Sequence, residues 1–370
     1  MFGESLLERW ARALSNLKVD WPLLAGIVLI FAVGEAVLYS ASGPGYGIVL
    51  RQGLKFLFAI GVMLLVAQIP PRHLKRISPF VYLFGVVLLI GVLVHGHSAL
   101  GARRWLDLGP LRVQPSEFMK LALPMMLAWL ISRNPLPVRF GVLLQVLLLL
   151  AIPAVLIDKE PDLGTALIIA MGGVIMIVLA GTRWRYLLFG ALICAALMPV
   201  AWHFMHAYQR ERILVFLNPA SAPLGAGYHI VQSMISIGSS GLYGLGWPHA
   251  PQAQLGFLPE SRTDFIFAVF SEEFGLLGSL ALLGAYTFVI MRGLYIAWCA
   301  SDNYSRLLAG CLSLVFAIDV FINIDMTMGL LPVVGVPLPF MSYGGTSLVS
   351  MAAAMGMLQS IARHKPLVAS

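Results

Sequence analysis

Charged residues are scarce in this chain, so those that stand within or beside apolar runs are the first candidates for chemistry. Asp264 follows Arg262 and precedes the apolar stretch Phe265–Phe270. The structural interpretation is a helix start, in which Ser261 and Asp264 form a capping box, and the spacing alone favours it. The functional interpretation is a carboxylate that faces a polar cavity and removes a proton from a substrate.

Three more charged residues have a structural and a functional interpretation. Glu117 and Lys120 lie one turn apart, where they can pair on a helix. Lys120 stands about a turn inside an apolar run, which is costly unless it has a partner or faces a polar cavity. Asp162, in Pro-Asp-Leu-Gly, is a predicted helix cap that could instead help to hold a divalent cation, and one aspartate does not decide between these.

Two pairs of arginines suit the recognition of phosphate groups. Arg103 and Arg104 precede Trp105, and Arg210 and Arg212 lie in another polar segment. Guanidinium groups bind phosphate oxygens in a bidentate manner, so either pair is suited to a pyrophosphate. The alternative is an aromatic and basic anchor at a membrane surface.

Acidic residues also occur inside apolar runs, where they can mark the path of a proton or an ion. Asp319 and Asn323 are four residues apart and share a helix face. This pattern keeps a transporter among the hypotheses. For Asp319 we favour an interhelical hydrogen bond.

The elements that position these residues are membrane helices. The 370-residue chain is 59% hydrophobic and only 11% charged, whereas soluble domains have roughly 25% charged residues. Apolar runs of about 20 residues predict one all-α membrane domain, residues 1–370, with ten transmembrane helices. These runs lie near 21–40, 53–69, 79–95, 116–132, 138–157, 163–181, 184–205, 264–291, 306–328 and 344–362.

The distribution of basic residues predicts the orientation. Fourteen of the 24 lysines and arginines flank one side, which places both termini in the cytoplasm. The segments 101–117 and 158–162 then face outward, as does a long loop at about 206–263 between helices 7 and 8. Residues 1–20 are interpreted as an amphipathic helix on the cytoplasmic surface. The net charge of +7 is attributed to orientation and anionic headgroups rather than to nucleic acid.

The polar segments resemble the SEDS family (shape, elongation, division and sporulation) from about residue 20 to 362. Within it, the chain is more similar to the elongation branch, RodA, than to the division branch, FtsW. The similar stretches are Gly101–Gly109, Gln114–Glu117 with Lys120, Pro161–Thr165, Pro223–His229, Phe257–Glu260, Thr263–Phe267 and Ser342–Gly345.

The resemblance implies a peptidoglycan glycosyltransferase that polymerises lipid II on the outer face of the cytoplasmic membrane. A 4-hydroxyl of the acceptor attacks C1 of the donor, undecaprenyl pyrophosphate leaves, and the configuration inverts. Asp264 matches the family's essential aspartate and is the implied base. The implied substrate-binding residues are Arg103, Arg104, Glu117, Lys120, Arg210 and Glu260.

The resemblance also implies cofactors and partners. A divalent cation, Mg²⁺ or Mn²⁺, is expected, with Asp162 and Asp264 as its candidate ligands. The expected partners are a class B penicillin-binding protein that crosslinks the strands, other membrane proteins of the elongation complex, and membrane lipids. The alternative function is a lipid II flippase. One departure from the family pattern is Arg262, which stands where the family has histidine and adds positive charge beside the base.

Overall fold

Every predicted apolar run forms a helix in the computed structural model, which describes residues 19–43, 46–99, 102–108, 111–219, 222 and 225–364. The surface helix predicted in residues 1–20 therefore lies almost wholly outside the described residues. The ten helices are α1 (Trp21–Ser42), α2 (Gly47–Ala67), α3 (Pro71–His95), α4 (Pro115–Ser132), α5 (Phe140–Asp158), α6 (Leu163–Leu179), α7 (Trp184–Phe204), α11 (Ile266–Trp298), α12 (Asn303–Thr327) and α13 (Thr346–Arg363).

Length and composition mark this protein as a multi-pass membrane protein. Within the described ranges, six helices are long and apolar enough to cross a bilayer, namely α1, α2, α3, α5, α11 and α12. The helices α6 and α7 contain shorter apolar segments. Many large apolar side chains of α2, α3, α5 and α7 are exposed, as lipid-facing helices require.

The prediction of an all-α fold is wrong between α3 and α4. Three short strands form an antiparallel sheet there: β1 (His97–Ala99), β2 (Ala102–Leu108) and β3 (Leu111–Val113). In this sheet Leu106 pairs with Val113, and Asp107 pairs with Arg112. The sequence pattern predicts only a loop here, because the alternating residues span too few positions to stand out beside the long apolar runs.

The long segment between α7 and α11 has its own secondary structure. It contains α8 (Ala207–Leu217), α9 (Ala226–Ser239) and the single turn α10 (Pro251–Gln254). Ser233, on the buried face of α9, donates a 2.6 Å hydrogen bond to the carbonyl of Thr327 at the end of α12. The segment is therefore packed against the helix bundle.

Close approaches between helices depend on small residues. A Cβ atom on Gly34 of α1 would lie 2.8 Å from the backbone of Met341, and one on Gly356 of α13 would lie 2.6 Å from the carbonyl of Met63 in α2. Small residues at such positions allow membrane helices to pack backbone to backbone.

The helix α11 is broken at Gly275, whose φ of 67° interrupts the helical hydrogen bonds. The segment 241–246 binds at this break. The amides of Leu245 and Gly246 donate to the carbonyls of Glu272 and Glu273, at 2.9 and 3.0 Å. Gly241 returns the contact by accepting from the amide of Leu276 at 3.0 Å. The segment thereby satisfies backbone groups that the break would leave unpaired in the bundle.

At the opposite end of the bundle, an ion pair joins the first helix to α11. Asp20 caps α1 by accepting from the amide of Leu23 at 3.1 Å. Its carboxylate also accepts two hydrogen bonds from Arg292 of α11, at 2.9 and 2.7 Å, and its backbone bonds to Gln359 of α13. Bidentate arginine–carboxylate pairs are strong and geometrically specific.

We expect the Gly244→Ala substitution to destabilise the protein. Gly244 has a φ of +77°, and an added Cβ would lie 2.1 Å from the carbonyl oxygen of Glu273. The backbone conformation alone costs about 1–3 kcal/mol for a residue with a side chain. The apparent melting temperature in detergent should therefore fall.

The matched control is Gly238→Ala. Gly238 lies in α9, and the space around its Cβ position is open. Alanine stabilises a helix relative to glycine by about 1 kcal/mol. The control should melt at the same temperature as the wild type or above it. Equal melting of the two alanine variants would contradict the docked position of the segment 241–246.

Candidate active site

Asp264 lies in a tight turn, residues 260–265, just before α11. The carbonyl of Glu260 accepts hydrogen bonds from the amides of Thr263 and Phe265, at 3.1 and 3.2 Å. Glu260 has a φ of +50°, which is rare for a residue with a side chain. Its own carboxylate accepts from the Thr263 hydroxyl at 2.8 Å. These contacts hold the turn in one conformation.

Two other parts of the chain hold the same turn from outside. Asn323 of α12 donates its amide to the carbonyl of Asp264 at 2.9 Å. From the loop before α13, the hydroxyl of Ser342 donates to the carbonyl of Thr263 at 2.6 Å. The amide of Tyr343 donates to the carbonyl of Arg262 at 2.8 Å. The backbone of Asp264 is thus positioned by hydrogen bonds, which leaves its carboxylate available for chemistry.

The capping-box interpretation of Asp264 is wrong. The helix α11 begins at Ile266, its N-cap is Phe265, and no side chain hydrogen-bonds at that cap. The carboxylate instead lies against Gly335, whose missing side chain leaves room for it.

The electrostatic environment of Asp264 is mixed. Burial raises the pKa of Asp264 to about 6, and the neighbouring Glu260 carboxylate adds to this rise. Arg212 and Arg104 oppose the rise through their positive charge. The carboxylate is therefore mostly ionised at neutral pH, yet it is a stronger base than an exposed aspartate.

Arg104 joins the sheet to the turn between α5 and α6. Its guanidinium donates to the carbonyls of Glu160, at 3.4 Å, and of Pro161, and lies 4.0 Å from the carboxylate of Asp162. Arg103 precedes it in β2, where its backbone pairs with Ser98. The side chain of Arg103 lies outside the described residues, so its predicted role stays a prediction.

Of the two arginines on α8, Arg212 is the one whose charge acts on Asp264, whereas the resemblance implies a substrate-binding role for Arg210, which stays a prediction. Arg210 donates to the carbonyls of Trp202 and His203, so it caps the end of α7. Arg212 lies within electrostatic range of Arg104, Asp162 and Asp264. Burial lowers the pKa of Arg212, and the nearby Arg104 adds to this effect. The two arginines are two positions apart on α8 and point in different directions, which the sequence alone could not resolve.

Asp162 has the predicted capping role. It is the N-cap of α6, and its carboxylate accepts from the amide and the hydroxyl of Thr165, at 3.4 and 2.9 Å. Gln114 and Ser116 donate to the same carboxylate, at 3.0 and 3.3 Å. These donors, together with Arg104, surround the oxygens, so the contacts favour the structural role.

Lys120 lies deep in the bundle between two carboxylates. Its ammonium is 2.9 Å from Glu117, which confirms the predicted pair on α4. It is also 3.7 Å from Asp319 of α12. Asp319 therefore makes the predicted interhelical contact as an ion pair. Ser350 of α13 donates to Glu117 at 3.2 Å. Lys120 is only 5% exposed, so the structure does not bring it to the surface beside Arg104.

Two further residues near the site, Glu160 and His229, carry no sequence signal that marks them as functional. Both carboxylate oxygens of Glu160 are buried without a hydrogen-bond partner among the described residues. Burial raises the pKa of Glu160 to about 8, Asp162 adds to the rise, and Arg104 opposes it. The ring of His229 stacks on Phe265, with 6.0 Å between centroids. Glu160 lies in the predicted outward segment 158–162 and His229 in the family-like stretch Pro223–His229, but nothing in their spacing separates them from structural residues.

A divalent cation would fit Asp264 and Glu260 better than Asp162. In the part of the chain that the structure describes, no cluster of three aspartate, glutamate, histidine or cysteine side chains is placed to hold a metal ion. Mg²⁺, however, often binds through one or two carboxylates and the phosphates of a substrate. The mutual repulsion of Asp264 and Glu260 would be relieved by such an ion.

We expect the Lys120→Met substitution to destabilise the protein strongly. It would leave the buried carboxylates of Glu117 and Asp319 without their cation, at a cost of about 3–5 kcal/mol. Lys159→Met removes an exposed lysine and is the control. The triple substitution Glu117→Gln, Lys120→Met and Asp319→Asn should recover much of the apparent melting temperature. No recovery would show that the ion pairs are not the reason for the loss.

We expect Glu160→Gln to make the protein more stable than the wild type at high pH. The pKa of Glu160 lies above its usual value of 4.5 in the folded state, so folding favours the protonated form. The wild type therefore loses stability as pH rises from about 4.5 through about 8. Melting temperatures of the two proteins should agree near pH 4.5 and diverge up to pH 9, whereas Glu211→Gln, an exposed control, should follow the wild type throughout. A constant difference across this range would contradict the assignment.

Comparisons with known proteins show the family of this chain. The family model FTSW_RODA_SPOVE, a family of cell cycle proteins, matches residues 15–367. The peptidoglycan glycosyltransferase MrdB of Escherichia coli (strain K12) is 44% identical over 354 residues, 95% of this chain and 96% of MrdB. A chain of a solved peptidoglycan synthase complex, studied for its structural coordination of polymerization and crosslinking, has a TM-score of 0.83 and 30% identity, covering 95% of this chain and 99% of that one. The rod shape determining protein RodA of Thermus thermophilus has a TM-score of 0.72 and 27% identity, covering 95% and 98%. This chain is a member of the SEDS family, to which FtsW and RodA belong.

Proposed function

We propose that this protein is a peptidoglycan glycosyltransferase that polymerises lipid II into glycan strands during cell elongation. The observation that carries the proposal is the pairing of a basic carboxylate with arginines at one site. Asp264 is held with a raised pKa, and Arg212 and Arg104 lie close enough to influence it. A glycosyl transfer from a pyrophosphate donor needs both a base and positive charge.

Asp264 is proposed to remove the proton of the attacking hydroxyl. The acceptor is a neutral 4-hydroxyl group, which becomes a good nucleophile only as it loses its proton. General base catalysis of this kind contributes roughly 10²–10⁴-fold to the rate. The 4-oxygen attacks C1 of the donor sugar, the bond from C1 to the pyrophosphate breaks, and the configuration at C1 inverts.

Arg104 and Arg212 are proposed to stabilise the leaving pyrophosphate. The leaving group is already charged, so it needs electrostatic stabilisation rather than a proton. Arg104 is held by the carbonyls of Glu160 and Pro161, and this fixes the position of its guanidinium. A divalent cation bound at Asp264 and Glu260 would add positive charge on the same side. Lys120 and Glu117 are assigned a structural role in this scheme.

The membrane arrangement proposed is ten transmembrane helices, α1 to α7 and α11 to α13, in the cytoplasmic membrane. Both termini lie in the cytoplasm, and the site faces outward, as the distribution of lysine and arginine indicates. The ends of α1, α5, α7 and α12 that meet the site residues belong to the same side of the bundle in this topology. The apolar surface of the helices then accommodates the prenyl tail of the substrate.

The proposed partner is a class B penicillin-binding protein, together with other membrane proteins of the elongation complex. The relative of known structure belongs to a peptidoglycan synthase complex that coordinates polymerization with crosslinking. A polymerase without a transpeptidase would release uncrosslinked strands. A flippase would need charged groups along a path through the membrane, whereas Asp264, Arg212 and Arg104 gather at one end of the helices.

We expect Asp264→Asn to abolish polymerisation of lipid II in reconstituted vesicles, with a loss of at least about 10²-fold. The variant should still insert and melt like the wild type. Wild-type activity should rise with pH through about 6, because Asp264 acts as a base only when deprotonated. Normal polymer from Asp264→Asn would refute the mechanism, and translocation of fluorescent lipid II without polymer would favour the flippase.

Two arginine variants extend the same prediction. Removing the charge of Arg212 should raise the pKa of Asp264, so Arg212→Gln should shift the rise in activity to higher pH and lower the maximal rate. Arg210→Gln removes the same group from a position that caps α7, and it should leave the midpoint of the pH profile unchanged. A shift with Arg210→Gln, and none with Arg212→Gln, would reverse the assignment of the two residues.

A further inference from the structure

A cavity, here named the Arg262 groove, opens beside the turn that carries Asp264. It has a volume of about 580 Å³ and lies between the end of α1 and the segment before α11. Its lining includes Tyr39, Ser42, Pro248, Gln254, Gly256 and Arg262. Neither Arg104 nor Arg212 lines it. The groove therefore lacks the two arginines whose charges act on Asp264.

One aromatic residue that lines the Arg262 groove, Tyr39, belongs to a cluster of three rings. The ring of Tyr39 stacks on Tyr46 at 5.3 Å and lies 6.1 Å from Trp247. The indole of Trp247 donates a 3.0 Å hydrogen bond to the carbonyl of Ala36, which fixes its orientation. Tyr46 and Trp247 are exposed, at 74% and 48%. Flat exposed rings of this kind stack on the CH-bearing faces of sugar rings.

Polar groups with spare hydrogen-bonding capacity line the same groove. Arg262 donates through Nε to the carbonyl of Ala41 at 3.4 Å, and within the described ranges its terminal nitrogens have no protein partner. Gln254 donates to the carbonyl of Pro248 at 2.6 Å and keeps its side-chain oxygen as an acceptor. The hydroxyl of Ser42 is buried without a partner among the described residues. A ligand pocket typically has such a few convergent polar groups.

These features together indicate a ligand that is rich in hydroxyl groups and carries a carboxylate. The rings suit sugar faces, Gln254 and Ser42 suit hydroxyl groups, and Arg262 suits a carboxylate in bidentate geometry. A pyrophosphate would prefer Arg104 and Arg212, neither of which lines the groove. Arg262 lies in the same tight turn as Asp264, residues 260–265, so the groove and the proposed base share one structural element.

We propose that the Arg262 groove binds the acceptor glycan strand, with Arg262 contacting a carboxylate of that strand. This inference rests on the proposed function and names the substrate that it leaves open. It assigns the acceptor to the groove and leaves the pyrophosphate of the donor to Arg104 and Arg212. It also explains what the arginine at 262 does in a position where a histidine would be neutral at most pH values.

The test measures binding of soluble glycans to the full chain in lipid nanodiscs, so it does not depend on turnover. One probe is a peptidoglycan tetrasaccharide that carries its stem peptides and no prenyl pyrophosphate. The other is chitotetraose, a neutral tetrasaccharide without a carboxylate. Arg262→Gln should weaken binding of the first probe by about tenfold and leave chitotetraose unaffected, because only the charged contact is lost. Tyr39→Ala, which removes the ring that lines the groove, should weaken both.

The matched control is Arg185→Gln, which removes an exposed guanidinium at the start of α7, far along the chain from the groove. It should bind both probes like the wild type, and all variants should be compared for melting temperature. Unchanged affinity of Arg262→Gln for the peptide-bearing probe would overturn the inference. A lower melting temperature together with unchanged affinity would show that Arg262 has only a structural role. Lipid II polymerisation by the same preparations separates this failure from a failure of the proposed function, which Asp264→Asn tests.

Discussion

A charged group inside an apolar helix bundle is tolerated only where a partner replaces the water that it has lost. In this protein the deepest example is Lys120, which is held between Glu117 on its own helix and Asp319 on α12. The pair connects α4 and α12, and α12 in turn supplies Asn323, which holds the backbone of Asp264. The ion pairs within the bundle therefore help to define where the site lies.

The same constraint shapes the break in α11. Its backbone groups at Gly275 would be unpaired in a membrane, and the segment 241–246 satisfies them from outside the helix. This docking brings the long segment between α7 and α11 back onto the bundle. Arg212 and Arg262 come from different parts of that segment, and the proposed scheme gives them different parts of the substrate. A structural requirement of the membrane thus positions groups that serve the chemistry.

The environment of Asp264 makes its carboxylate more basic and also keeps it ionised. Burial and Glu260 make the carboxylate more basic, whereas Arg212 and Arg104 keep it ionised near neutral pH. A base needs a pKa just below the working pH, so the balance of these effects matters more than any one of them. Glu160, which has neither a hydrogen-bond partner among the described residues nor a dominant cation, is shifted further, to a pKa of about 8.

The amino-acid sequence alone determined the class of the protein, because long apolar runs have few possible structures in a bilayer. It also determined the cap at Asp162 and the pair of Glu117 with Lys120, which depend on residues three positions apart. Only the tertiary structure distinguished the contacts of Arg210 from those of Arg212, placed Asp319 beside Lys120, and removed Asp264 from a helix cap. Those outcomes depend on contacts between residues that are distant in the chain, and local spacing carries no information about them.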